Sequence, residues 1–427
     1  MPKVLKLLLW TLSIITILTG SSIVYLLWLQ PAFYFPKPEG RYAVGTKLYH
    51  WIDTRRKEIL HQDKQHPHRE LNVKIWYPAQ EYLQNAPTTP YAPYAIDYFK
   101  KKNPFAWLLI LSRPTYVYAI PDLPIATDES TFPVILFSPG FRGFQDSNTA
   151  QCESLASHGY VVVGITHPYD NTVVKFSDDR IADGLKSLSK RSQGIPLEQS
   201  SILDDSATIW LADIEFVLNK LEQLKQDNNS FLYKRLDLNH IGMFGHSMGG
   251  STALQIAAHD SRIKAAVNLD GALFGYNIAK KIDKPCMVLL AGNGVTFNER
   301  PLTQNEWKRY NITSQEEEAK LKESYLPALD KLAQSTHHNF YTFVVKNAGH
   351  LDFSDMALSK SAAPLVHLIA MTNSSLLRLG SINGEKVTEI VNAYLLSFFN
   401  KYLKKETSAL LDSQDGHYAE IETRNKK

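Results

Sequence analysis

Gly245-His246-Ser247-Met248-Gly249, flanked by the apolar run Ile241-Gly242-Met243-Phe244 and by Gly250-Ser251-Thr252-Ala253, decides how the rest of the chain is read. The flanks predict a strand, a sharp turn and a helix. In a G-x-S-x-G arrangement the glycines leave room for a strained turn that lifts a serine hydroxyl above the sheet edge. The helix that follows aims backbone N–H groups at developing negative charge. Ser247 in that setting is a candidate nucleophile for acyl transfer. A five-residue pattern also arises by chance as a buried turn serine; the flanking strand and helix, and the order of the partners downstream, favour the nucleophile.

Outward from that motif, short apolar segments alternate with amphipathic ones. Strands are predicted at Val134–Phe137, Tyr160–Ile165, Ile241–Phe244, Ala265–Leu269, Met287–Leu290 and Phe340–Val345. Helices are predicted near Ser201–Leu224, Gly250–His259, Glu316–Ala333 and Glu385–Lys404, where apolar residues recur at three- and four-residue intervals. Near-continuous Val/Ile/Leu strands alternating with such helices predict an α/β architecture, a mostly parallel sheet covered on both faces. Upstream, Lys47–Trp51 and Leu71–Tyr77 alternate like two antiparallel strands joined by a polar loop around His61–Arg69. His61, His66 and His68 in that loop lack partners at metal-ligand spacing, so it reads as solvated and no metal site is expected.

A serine hydroxyl becomes a useful nucleophile when a histidine takes its proton and a buried carboxylate fixes that histidine's tautomer. On a sheet of this kind the chain order is Ser, then Asp or Glu, then His, and the site lies at the carboxyl ends of the strands. His350, in Asn347-Ala348-Gly349-His350-Leu351, follows the Phe340–Val345 strand and is the expected base. His337 and His338 precede that strand in a polar turn, and His367 sits in an apolar helical run. Asp270 ends the strand Ala265–Leu269 and is the expected acid, although Asp before Gly is also ordinary turn chemistry. The next strand ends in Leu290-Ala291-Gly292-Asn293-Gly294 with no carboxylate before Glu299; Asp352 and Asp355 are weaker options. A tetrahedral oxyanion takes two backbone N–H groups: Met248 supplies one, and Phe141 is the best-placed donor in Ser138-Pro139-Gly140-Phe141-Arg142-Gly143, because Pro139 has none. An ordinary Pro-Gly turn is the alternative for that loop. This chemistry needs neither metal nor organic cofactor, and none is expected.

The chain resembles the platelet-activating factor acetylhydrolase family, the plasma and intracellular type-II enzymes with their bacterial relatives. The resemblance lies in Gly245-His246-Ser247-Met248-Gly249-Gly250, Asn268-Leu269-Asp270-Gly271, Gly349-His350-Leu351-Asp352-Phe353 and Leu155-Ala156-Ser157-His158-Gly159-Tyr160-Val161-Val162, and covers roughly Tyr42–Leu403. It implies the α/β-hydrolase fold and calcium-independent hydrolysis of a short or oxidised acyl ester, typically on a phospholipid. The family's acid position, after the strand that follows the nucleophile helix, implies Asp270. Pro139 departs from the family, which often has histidine in the oxyanion loop, and insertions at 82–130 and 296–335 leave substrate choice open. Cutinase-like polyester hydrolases share a similar Leu-Ala-Ser-His-Gly-Tyr segment, but their acid normally follows the later strand, where this chain has Asn293. A reading of a different class is a catalytically silent tethered domain that binds a lipid or a partner protein; three triad residues in order argue against it.

With 427 residues, 44% hydrophobic and 21% charged, the chain has globular composition and room for one large α/β domain or two modest ones. Its 46 basic and 43 acidic residues give no dominant basic field, and no K/R-rich block interleaves with aromatics, so nucleic acid is not an expected partner. Cys152 and Cys286 are too few for a disulfide framework and read as buried thiols. From Leu7 to Leu29 no residue is charged, and as a helix that run reaches about 35 Å, enough to cross a bilayer core. It continues past the weak cleavage site Gly20-Ser21-Ser22, which favours an uncleaved anchor over a removed signal. Lys3 and Lys6 favour a cytoplasmic N-terminus and an extracytoplasmic catalytic domain, with Lys37 and Arg41 pulling the other way; secretion after cleavage is the alternative. The expected organisation is an anchor over 1–30, a proline-stiffened linker over 31–41, a catalytic domain over 42–404 and a polar, frayed tail over 405–427. The apolar runs Phe105–Leu111 and Pro364–Ile369 are candidates for lining the pocket or docking on lipid.

Overall fold

The computed structural model describes residues 3–28, 34–61, 63–80, 88–102, 114–193, 201–276, 281–309, 312–323, 325–336, 339–362, 379–412 and 418–426. One sheet of ten strands organises it. In chain order these are β1 (Ala43–Lys57), β2 (His68–Ala79), β3 (Ile120–Pro121), β4 (Phe132–Ser138), β5 (Val161–Ile165), β6 (Leu236–His246), β7 (Ile263–Leu269), β8 (Cys286–Ala291), β9 (Phe340–Val345) and β10 (Ile421–Lys426). Their spatial order is β10-β9-β8-β7-β6-β4-β5-β2-β1-β3. The block from β5 through β4, β6, β7 and β8 to β9 is parallel throughout, and antiparallel pairs flank it at β2/β5, β1/β2 and β9/β10.

Each central strand is buried on both faces, and its side chains alternate between two core layers. On β8, Cys286, Val288 and Leu290 enter one layer while Met287, Leu289 and Ala291 enter the other, the period of two expected of a pleated strand. The helices are α1 (Lys3–Trp28), α2 (Thr149–Ser157), α3 (Ile202–Gln226), α4 (Met248–His259), α5 (Gln315–Glu323), α6 (Leu326–Ser335) and α7 (Gly384–Leu403), among shorter ones. Helices α3, α4 and α6 cover the first layer; α2 and α7 cover the second. Cys152 on α2 and Cys286 on β8 are free thiols in opposite layers.

Several expectations need correction. The helix expected over Glu316–Ala333 is two helices, α5 and α6, because Pro327 occupies the first turn of α6. Proline inside a helix removes a hydrogen bond and clashes with the preceding turn, whereas the first turn accepts it. The tail is not frayed to its end: β10 pairs antiparallel with β9, Ile421 opposite Val345 and Thr423 opposite Phe343. Its polar sequence suits a sheet edge, where charged side chains discourage pairing with another chain. The folded region also begins before Tyr42, since Phe35 is buried with its ring 4.9 Å from that of Tyr91 and Gly40 N donates to Ser157 Oγ at 3.1 Å.

The N-terminal apolar run is helical, as α1, and its Trp10, Leu12 and Ile17 are largely exposed. The expected membrane span does not follow from this: among the described residues no helix is long and apolar enough to cross a membrane. Phe105–Leu111, Pro364–Ile369, His337, His338 and His367 lie outside the described residues.

Candidate active site

The apolar strand β6 delivers the chain to Ser247, which has φ 56° and ψ −124° before α4 begins at Met248. A non-glycine residue with positive φ is strained, and it persists only where its surroundings hold it. Here glycines let backbone reach backbone. A Cβ on Gly249 would lie 2.0 Å from Ser138 O, one on Gly245 2.2 Å from the Gly249 carbonyl, and one on Gly271 2.0 Å from Ser247 O. Ser247 N donates to Leu269 O at 2.8 Å, so the turn is stitched to the end of the neighbouring strand β7.

Asp270 follows β7, also at positive φ (56°), with its N–H on Leu289 O at 2.8 Å. Its buried carboxylate takes three donors. Oδ2 accepts from His350 Nδ1 at 2.7 Å; Oδ1 accepts from Ala291 N at 2.7 Å and from the Tyr325 hydroxyl at 2.5 Å. His350 opens a 3-10 turn, His350–Phe353, after β9, and its side chain is 16% exposed, enough to meet solvent or substrate. His246, the residue before the serine, donates from Nε2 to His350 O at 2.9 Å, its ring 4.6 Å from that of His350. Burial, and then the neighbouring His350, push His246 well below the usual histidine range, so it stays neutral and ties the Ser247 turn to the His350 loop.

The structure thus joins His350 to Asp270 directly and sets Ser247 beside them through the backbone. Among the described residues the Ser247 hydroxyl has no hydrogen-bond partner; in unliganded hydrolases the serine–histidine bond often tightens only with substrate bound. Neither weaker acid option turns to His350. Asp352 accepts Gly349 N and Gly380 N and pairs with Lys360, and Asp355 accepts the N–H groups of Thr149 and Ala150 at the start of α2.

The loop Ser138–Gly143, expected to hold the oxyanion, crosses the serine closely, since a Cβ on Gly140 would be 3.1 Å from Ser247 Cβ. In it Arg142 N donates to Asp170 O and Gly143 N to Gly140 O, while the Phe141 N–H has no partner among the described residues. The side chains of Phe141 and Met248 pack with Ala207, Trp210, Leu203 and Phe274 into an apolar wall beside the Ser247 turn.

A second serine, histidine and aspartate stand in line behind this loop, and they were not picked out from the sequence. Ser138 Oγ is 3.0 Å from His167 Nε2, and His167 Nδ1 is 2.9 Å from Asp213 Oδ2. All three are sealed from solvent, and His167 stacks on Trp210 at 3.9 Å. Burial works to raise the Asp213 carboxyl, but the charge of Arg69 and the His167 bond outweigh it and hold it well below the usual range. Arg69 grips Asp213 through Nε at 3.1 Å and Nη2 at 2.7 Å and also reaches Glu58 at 2.8 Å. The position of Thr166-His167-Pro168 after β5, at the same edge of the sheet as the candidate residues, was the signal available for it. No comparable signal marks Tyr325, which lies in a polar insertion.

Fold and site together define a serine-type hydrolase with the α/β-hydrolase architecture. The model of the family "Platelet-activating factor acetylhydrolase, isoform II" matches residues 29–198 and that of the dienelactone hydrolase family matches residues 123–316. A probable 1-alkyl-2-acetylglycerophosphocholine esterase of Arthroderma benhamiae is 24% identical over 91% of this chain and 93% of its own length. The platelet-activating factor acetylhydrolase of Cavia porcellus is 25% identical over 86% of this chain and 78% of its own. A solved ferulic acid esterase from Streptomyces cinnamoneus superposes with a TM-score of 0.67 at 23% identity, covering 92% of this chain and 99% of that one, and shares the fold. The chain is a carboxylic ester hydrolase related to the platelet-activating factor acetylhydrolases.

Proposed function

We propose that Ser247 attacks the ester carbonyl, His350 takes its proton and returns it to the leaving alcohol, and Asp270 fixes the histidine tautomer. The observation that carries this is the 2.7 Å bond between His350 Nδ1 and Asp270 Oδ2 beside a serine held at positive φ. With Nδ1–H committed to the carboxylate, Nε2 is free to accept from the serine. The N–H groups of Met248 and Phe141 receive the oxyanion. Water then enters, His350 activates it, and the acyl-enzyme bond to Ser247 Oγ breaks to release the acid.

The proposed substrates are esters of short or oxidised acyl chains on phospholipids; the two sequence relatives are named for acetyl esters, one of them for an acetylglycerophosphocholine. The wall of Phe141, Leu203 and Phe274 beside the serine is apolar and partly exposed, as an acyl chain requires. We further propose that α1 anchors the domain outside the cytoplasm. Its exposed aliphatic surface supports this, and so do the hydroxyls of Thr16, Thr19 and Ser22, each bonded to the carbonyl four residues back, which satisfies them without water. The catalytic unit is assigned to 42–404 together with the edge strand β10.

Stoichiometric labelling by a fluorophosphonate, lost in Ser247→Ala, is the expected result; absent labelling of the folded wild type means a silent binding domain instead. A chain-length series of phospholipid and nitrophenyl esters should favour short acyl groups. For α1, the full chain should stay with membranes through alkaline carbonate while a chain starting after residue 30 is released; release of both refutes the anchor.

A further inference from the structure

The insertion between β8 and β9 touches the proposed catalytic acid at one atom. Tyr325 stands just before α6, and its hydroxyl donates to Asp270 Oδ1 at 2.5 Å, on the carboxylate oxygen that His350 does not use. We infer that Tyr325 is a positioning residue for ester hydrolysis, holding the Asp270 carboxylate with Oδ2 toward His350 and tempering how strongly it draws on the imidazolium. This rests on the triad proposed above.

The contact is built rather than incidental. Tyr325 N donates to Lys322 O at 3.2 Å, and its carbonyl accepts from Leu329 N at 3.0 Å, so α6 fixes the backbone. Across from the phenol stands Gly294, where a Cβ would come within 3.1 Å of the hydroxyl oxygen. The insertion is also pinned from the sheet edge: Arg424 on β10 reaches Glu299 at 2.6 Å and Asp330 on α6 at 2.9 Å. Burial, and then the charge of Asp270, push the Tyr325 phenol well above its usual range, so it remains a donor wherever the enzyme works.

Among the described residues, the charged and titratable groups around His350 are few. Asp270 and His246 face it directly, Asp352 with Lys360 lies in its own loop, and Tyr325 with Arg424, Glu299 and Asp330 stands behind Asp270. Of these only Tyr325 and the Ala291 N–H share the load on Asp270 Oδ1. Removing the phenol hydroxyl concentrates negative charge on the carboxylate and makes it a stronger partner for protonated His350. The base then stays protonated to higher pH.

In Tyr325→Phe the acidic limb of the kcat/KM profile should move up by about 0.5–1 pH unit, and the plateau should fall about 3- to 10-fold as the carboxylate loses one of its supports. Placing 3-fluorotyrosine at position 325 keeps the shape and strengthens the donor, so the limb should move the opposite way. A residue that only fills space would leave both limbs where they are. Unmoved limbs in both proteins, with activity still abolished by Ser247→Ala and Asp270→Asn, overturn this role and leave the triad intact. If Ser247→Ala and Asp270→Asn keep activity, the triad and the role of Tyr325 fall together.

Discussion

Replacing Asp270 by asparagine preserves its shape, and the surrounding donors decide which way the amide must turn. Oδ1 accepts from Ala291 N at 2.7 Å and from the Tyr325 hydroxyl at 2.5 Å, while Oδ2 accepts from His350 Nδ1 at 2.7 Å. An amide nitrogen at the Oδ1 position would oppose a backbone N–H that cannot rotate away, leaving a buried donor unpaired at a cost of about 1–3 kcal/mol. The nitrogen therefore goes to the Oδ2 position and donates to His350 Nδ1, which must pass its own proton to Nε2. In the proposed triad that is the atom that accepts from Ser247. The same tautomer error in a serine protease costs about 10⁴-fold in kcat. Escape through the flipped amide regains the correct tautomer but keeps the 1–3 kcal/mol cost and forfeits a charge-assisted bond of about 1.5–3 kcal/mol. At about 1.4 kcal/mol per decade, the flipped route spans about 10²–10⁴-fold and the tautomer route about 10⁴-fold, so the expected loss in kcat/KM is about 10²–10⁴-fold. Initial rates on a nitrophenyl acetate, corrected for the Ser247→Ala background, measure it, with circular dichroism to establish that the variant is folded. Folded Asp270→Asn within tenfold of wild type would refute the donor arrangement and with it the role given to Asp270.

Gly249→Ala should destabilise the fold by about 1–3 kcal/mol or more by overpacking, because its new methyl meets Ser138 O at 2.0 Å and Pro139 O at 2.6 Å, both backbone atoms; an unchanged melting temperature contradicts that packing. Asp213→Ala leaves the Arg69 guanidinium buried with one acid fewer and should cost about 3–5 kcal/mol, read as a lower urea midpoint; a shift worth less than about 1 kcal/mol would mean that the pair is not sealed. Glu153 is raised to about 7, chiefly by burial. Because its folded value lies above the unfolded one of about 4.3, the protonated form stabilises the fold below that pH, and this stability is lost as pH rises toward 7. Glu153→Gln should therefore flatten the decline in urea stability across that window, by at most about tenfold in the unfolding equilibrium per pH unit; an undiminished slope excludes Glu153 as its source. Asp355, raised to about 8 also chiefly by burial, continues the decline in the variant.

What was legible in the sequence tracks how local the controlling physics is. Strands β4 to β9 are mostly apolar because both faces are largely buried, and each was located to within a few residues apart from the longer start of β6. The G-x-S-x-G turn was legible because its glycines answer to contacts made within the strand–turn–helix unit and its immediate neighbour. By contrast β10 is polar and takes its strand conformation from its partner β9, a pairing across a long stretch of chain that no local pattern encodes. Pro327 did break the expected Glu316–Ala333 helix, and its position alone would have allowed that reading. Tyr325 and His167 act through hydrogen bonds to residues distant in sequence; the place of His167 after β5 was a signal for it, whereas the type and spacing of Tyr325 carried no pattern to recognise.

The two serine–histidine–aspartate lines contain the same functional groups, and their surroundings separate them. Ser138 ends the regular strand β4 and is wholly buried with His167 and Asp213, so no ester can approach and the imidazole has nowhere to deliver a proton. Burial pushes His167 below the usual histidine range despite the neighbouring Asp213, which favours the neutral ring as a fixed link between Ser138 and Asp213. Ser247 instead sits at positive φ with its hydroxyl lifted from the strand, and His350 is partly exposed. The sealed line anchors Ser138, and Ser138 is the residue whose carbonyl packs on Gly249 and whose chain continues into the loop over Ser247, the proposed oxyanion loop. Rigidity behind that loop matters because an oxyanion hole works only if its donors are already in place when charge develops. On the triad proposed here, the buried copy is part of the scaffold that holds the loop over the exposed serine.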